Sequence, residues 1–217
     1  MSEGIIKPEA EMRSVAIAEA TVVEGIRNSL SRIADMVREV HEALRDLGQG
    51  MLESVRVRSD RIWESRKRAS DELRNYVTHF IRVRLGLENR DLYHAIFAEL
   101  RSLTRSLSDV SCILKEMALA RDSPSNVSTA LDASRSIVEN IQSIVDATMT
   151  LLDNPRASVD LLEKSYRSLE DLESSYRESI CAKASQLSRE LLRTLLSIAR
   201  SLSLISENLR FIAMQRM

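Results

Sequence analysis

The sequence predicts an all-α protein of six long helices, arranged as two repeated antiparallel three-helix bundles. Three observations lead there. The chain of 217 residues holds only five Gly and three Pro, too few turn residues for a sheet protein of this size. Apolar residues recur in alternating steps of four and three along most of it, the period of a helix with one buried stripe. The stretch RSLSLISENLRFIAMQR, Arg200 to Arg216, repeats RSLSDVSCILKEMALAR, Arg105 to Arg121, with identity at eight of seventeen positions. A duplicated helix implies a duplicated unit, and the break between units divides the chain into residues 1–122 and 123–217.

The first helix follows Pro8, a residue suited to an opening turn. It runs to Leu47 on a seam of Ile26, Leu30, Ile33, Val37, Val40, Leu44 and Leu47, and Gly48 to Gly50 end it. The second, Leu52 to Leu85, has its seam in Ala69, Leu73, Tyr76, Phe80 and Val83. Its first half differs, because Ser59 and Arg66 occupy seam positions among Arg56, Arg58, Arg61, Lys67 and Arg68, with Glu53, Asp60 and Glu64 interleaved. Such a mixed run is either a solvated, salt-bridged face or a docking surface for an acidic partner or a second subunit. After a turn over Gly86 to Arg90, the third helix carries an uninterrupted seam of Tyr93, Ile96, Leu100, Leu103, Leu107, Val110, Leu114 and Met117. Asp122-Ser-Pro-Ser-Asn126 breaks the chain with turn and capping residues. The fourth helix reads Val127, Leu131, Ser134, Val138, Ile141, Val145, Thr148 and Leu152 until Asn154-Pro155 stops it. The fifth, Ala157 to Ala182, is more acidic, and the sixth follows a turn placed at Ala184 to Ser188 by analogy with the first half. Short connections make neighbours antiparallel, so each half closes as a three-helix bundle.

Composition excludes several functions. Lys plus Arg number 31 against 32 Asp plus Glu, a net charge of −1, which lacks the basic excess that nucleic-acid binding draws on. No apolar run approaches the roughly 18 residues of a membrane span, and the acidic start MSEGIIKPEAEMRS does not read as a signal peptide. The expectation is a cytoplasmic protein, peripheral to a membrane at most, with Cys112 and Cys181 as buried, reduced thiols. No P-loop, nucleophile elbow, HExxH or CxxC occurs, so the protein reads as a non-enzyme. Asp91 and His94 have a metal-type spacing but stand alone, and Trp63 beside the basic run suits core or interface.

The last helix, Ala199-Arg-Ser-Leu-Ser-Leu-Ile-Ser-Glu-Asn-Leu-Arg-Phe-Ile-Ala213, resembles the repeat-ending helix of the PhoU family of phosphate-uptake regulators, A-R-x-L-E-R-I-G-D-H-A-x-N-I-A. Ala199, Arg200, Leu202, Ile205, Ile212 and Ala213 match it, and a related pattern closes the first half. The resemblance implies a six-helix, two-repeat PhoU-like fold. It also implies control of phosphate uptake through contact with a phosphate transporter or a sensor kinase. Family members use the motif's Glu and Asp to hold metal, iron or zinc. Here those positions are Ser203 and Glu207, and in the first repeat Ser108 and Cys112, one carboxylate where four would be needed. No cofactor is therefore expected, and the serines read as small residues that allow close helix approach. Glu170, Asp171 and Glu173 could gather with Glu207 into a different carboxylate site, or form a solvated acidic face. The residues expected to meet a partner are Arg61, Arg66 and Arg68, and self-association is expected because the polar interruption resembles a register-fixing device. Beside the regulatory reading stand two others, a metal-binding helical bundle and a structural coiled-coil scaffold.

Overall fold

The computed structural model describes residues 8–120, 127–177 and 185–217. Six helices follow in order: α1 (Pro8–Gly48), α2 (Leu52–Val83), α3 (Arg90–Ala120), α4 (Val127–Thr150), α5 (Pro155–Arg177) and α6 (Gln186–Met214). Among the described residues there is no strand. α2 stops at Val83 rather than Leu85, because a short 3-10 turn, Arg84–Gly86, takes over. Pro155 begins α5 as well as ending the preceding stretch, and the Asn154 side chain accepts the Ala157 N–H at 3.3 Å. α6 begins at Gln186, inside the expected turn, where the Ser185 hydroxyl caps it by accepting the Ser188 N–H at 3.2 Å. The expected break at Asp122 to Asn126 and the second thiol, Cys181, lie outside the described residues.

α2 packs between α1 and α3, and α5 between α4 and α6. The two sets join through α1 against α4 and α3 against α6, so each contact across the middle pairs helices of equivalent order. α3 and α6, which carry the repeated stretch, therefore meet each other. A single cluster of buried apolar residues runs through all six helices.

Every expected seam residue of α1 and α3 is buried. In α4 the expected seam holds in part. Ser134, Ile141, Val145 and Thr148 are buried, Leu131, Val138 and Leu152 are only half-buried, and Ala130, Ala133, Ile137, Ile144, Ala147 and Leu151 are buried beside them. α4 touches both α1 and α5, and a helix with two large neighbours buries a wider arc than one seam.

Two features fix the α1–α2 hairpin. Gly50 adopts φ +73°, which reverses the chain so that the Met51 N–H reaches the Asp46 carbonyl at 2.9 Å. The buried Asp46 carboxylate accepts from Ser54 Oγ at 2.5 Å and Arg58 Nε at 2.7 Å, and Arg58 also donates to Glu39 at 2.9 Å. Burial pushes the Asp46 carboxyl up, but the Ser54 and Arg58 bonds outweigh it and hold the pKa below its ordinary value. Further along, Gly25 sits under Tyr76. A methyl group there would meet the ring at 2.8 Å, which is why the helix carries a residue of poor helical propensity at this point.

Gly25→Ala is expected to destabilise by about 1–2 kcal/mol, since overpacking of about 1–3 kcal/mol exceeds the propensity gained, about 1 kcal/mol. Combined with Tyr76→Ala the same change is expected to stabilise, which urea unfolding of the two backgrounds would read. For Asp46→Asn the expected loss is about 1.5–3 kcal/mol, the range for bonds to a charged group. The depressed pKa sets the sign of the pH dependence. The contribution of Asp46 is complete above its unfolded value, about 4, and is lost as pH falls through the folded value beneath it. Chemical denaturation of wild type and Asp46→Asn should therefore converge in acid.

Candidate functional site

The basic half of α2 lies along α1, and the two helices are separated there by a groove of about 530 Å³. Arg32, Asp35, Met36, Arg38 and Glu39 line it from α1, and Arg61, Ile62, Glu64, Ser65 and Arg68 from α2. Buried Ile62 and Met36 form its floor, and four guanidinium groups stand on its walls.

These arginines are not equivalent. Arg32 donates to Glu72 at 3.2 Å, and Arg38 donates to Asp35 and to Gln142 of α4, both at 2.6 Å. Arg61 and Arg68 are exposed and form no ion pair among the described residues. They are seven residues apart, two helical turns, so they stand about 10 Å from each other along one edge of the groove. Glu64 lies between them. Most other charges of this half of α2 are consumed locally: Arg56 by Glu53, Arg58 by Asp46 and Glu39, and Asp60 by Lys115.

Arg66, grouped with Arg61 and Arg68 by sequence, does not line the groove. It is half-buried, its Nε is buried without a hydrogen-bond partner, and its guanidinium lies 5.5 Å from the centre of the Trp63 ring. Lys67 Nζ lies 5.6 Å from the same ring, which is 38% exposed and thus covered by cations rather than by core. Ser59 is buried and bonds to the Val55 carbonyl of its own helix, leaving no polar demand in the seam.

At the motif positions, Ser203 is buried, Ser108 and Glu207 are half-buried, and Cys112 is exposed. The exposed thiol corrects the expectation of a buried one: Ser111 and Ile113 turn inward on either side of it, and Cys112 faces outward between them. The acidic candidates do not converge. Exposed Glu170 accepts from Tyr166 Oη at 2.6 Å, which pushes that phenol up to about 12, with the Glu207 charge adding a smaller push. Exposed Asp171 lines a shallow depression with Lys164 and Arg167, and Glu173 is half-buried. Among the described residues no group of three or more His, Cys, Asp or Glu side chains could hold a metal ion. His94 is exposed near Asp91, and His41 Nδ1 lies 2.8 Å from Ser134 Oγ across the α1–α4 contact.

Sequence reasoning missed Arg32 and Arg38, half of the groove's cations. Only the pairing register of α1 with α2 brings them opposite Arg61 and Arg68. No described helix is long and apolar enough to cross a membrane. No family model matches this chain, and searches of curated proteins and of solved structures return no match.

Proposed function

We propose that this protein is a non-enzymatic regulator that works by binding, with the α1–α2 groove as the seat of an acidic protein segment. The observation that carries the reading is the pair Arg61 and Arg68, two guanidinium groups on one groove edge with no ion pair among the described residues. An arginine that neither packs in a core nor neutralises a neighbour keeps its full capacity for a bidentate carboxylate contact. The PhoU-like pattern of Ala199 to Ala213 supports phosphate uptake as the process regulated, with a phosphate transporter or a sensor kinase as the protein whose activity is controlled.

A fluorescein-labelled glutamate-rich helical peptide tests the groove by anisotropy at low salt. Arg61→Glu with Arg68→Glu is expected to weaken its binding by about tenfold, since two exposed pairs of up to about 1 kcal/mol each are replaced by repulsion. The control with equal net charge, Arg101→Glu with Arg105→Glu on the exposed face of α3, should bind as wild type. Equal losses in both variants would reduce the groove to bulk electrostatics. Phosphate uptake by cells carrying the groove variant tests the process, and regulation that stays intact would detach the groove from phosphate control.

A further inference from the structure

The outer face of α4 carries a stripe opposite in charge to the edge of α2. Asp132, Glu139 and Asp146 on α4, and Asp153 just beyond it, recur every seven residues and are all exposed. Arg135 is the one basic residue of α4. It lies 4.0 Å from Asp132, and Asp146 accepts from Gln142 at 3.0 Å, while Glu139 has no side-chain partner among the described residues. On α2 the matching stripe is Arg61, Arg68, Asn75 and Arg82, with the same seven-residue spacing and all exposed.

The two stripes also stand at the same heights. Bonds from Asn28 to Tyr76, Arg32 to Glu72 and Arg58 to Asp46 fix the α1–α2 register and set Arg61 level with Ala43 and Arg68 level with Met36. From the other flank of α1, Arg38 to Gln142 and His41 to Ser134 fix the α1–α4 register. They set Asp132 and Glu139 at those same two levels, within about one helical turn. Both α2 and α4 run antiparallel to α1 and hence parallel to each other. One face of the molecule thus has a basic edge, a central helix and an acidic edge. The central helix adds little field, because its outward charges pair locally, Asp35 with Arg38 and Glu42 with Arg45.

We propose that the acidic segment seated along the α2 groove is α4 of a second copy of this chain, in an isologous dimer whose two-fold axis runs parallel to α1. This rests on the groove reading above and names its partner. Charge selects the axis. Turning the second copy about a line parallel to α1 lays each α2 on the other copy's α4 at unchanged height, so Arg61 meets Asp132 and Arg68 meets Glu139 twice over. A two-fold axis across α1 would instead lay α2 on α2, arginine on arginine.

The test is sedimentation velocity on the full chain with a charge swap. Wild type is expected to dimerise at low ionic strength and to dissociate towards 1 M salt, where the screening length falls to about 3 Å. Arg61→Glu with Arg68→Glu, and separately Asp132→Arg with Glu139→Arg, are each expected to weaken the dimer by about tenfold or more. Mixed one to one, the two variants should form a heterodimer, since all four contacts are again complementary. All four positions are exposed, and circular dichroism with the milder Arg61→Gln and Arg68→Gln pair reports whether the helices are intact. A wild type that stays monomeric at low salt overturns the proposal. So does a dimer that survives either reversal, or variants that fail to combine. Peptide binding that persists in a monomeric wild type would leave the groove reading standing, and peptide binding unaffected by the groove variant would remove it; the two failures are thus distinct.

Discussion

The close approach of the inner helices is the constraint from which the rest follows. α1, α3, α4 and α6 each have neighbouring helices on more than one side, so each must bury a broad arc. Bulky residues on the whole of that arc would hold the helices apart. The sequence meets this with alanine and hydroxyl residues beside the leucine and isoleucine seam: Ala34 and Ala43 on α1, Ala133 and Ser134 on α4, Ala199 and Ser206 on α6. Buried hydroxyls would be costly if left without acceptors. Ser29, Ser59, Ser111, Ser134 and Thr148 donate to carbonyl groups three or four residues back in their own helices, so they occupy little more room than alanine and leave nothing unpaired. Ser206 and Ser158 instead donate to carbonyls of the neighbouring helix, at 2.8 Å and 2.9 Å, and so also tie α6 to α5 and α5 to α4.

This constraint places the groove. Packing α1 against α4 on one flank and α2 on the other leaves only a narrow strip of α1 facing outward, and it is polar. Polar residues there cannot seal the gap to α2, and long arginines on both helices frame it. The Asp46–Ser54–Arg58 cluster at the hairpin and the Asn28–Tyr76 bond further along hold the register that brings Arg32 and Arg38 opposite Arg61 and Arg68.

Much of the fold was legible in the sequence because large aliphatic residues at steps of four and three leave little choice of face. The α3 seam from Tyr93 to Met117 is buried throughout. In α4 the pattern misled in part, because small residues at Ala130, Ala133 and Ala147 lie deeper than Leu131 or Leu152, and volume along the chain does not report depth when neighbours stand on two sides. The site was legible in part. Arg61 and Arg68 stood out as charges near a seam, whereas Arg66 belongs with Trp63, a distinction set by the direction of each side chain around the helix. Arg32 and Arg38 carried no signal of their own, since their meaning depends on a pairing between helices. The stripe of Asp132, Glu139, Asp146 and Asp153 was readable by spacing and passes unnoticed if only apolar periodicity is followed.

The end of α6 contacts the first helix. Arg216 pairs with Glu19, and Glu19 accepts from the buried Tyr93 hydroxyl at 2.7 Å, so the end of α6 closes onto α1 and α3. Burial, then the bond to Glu19, raises the Tyr93 pKa, which keeps that hydroxyl a donor at every physiological pH. On the ribosome this contact has an order in time. Glu19 leaves the exit tunnel roughly 10 to 40 s before Arg216, at synthesis rates of about 5–20 residues per second. Throughout that interval Glu19 is without Arg216, and the faces of α1 and α3 that receive α4 and α6 stay open until each of those helices has emerged in its turn.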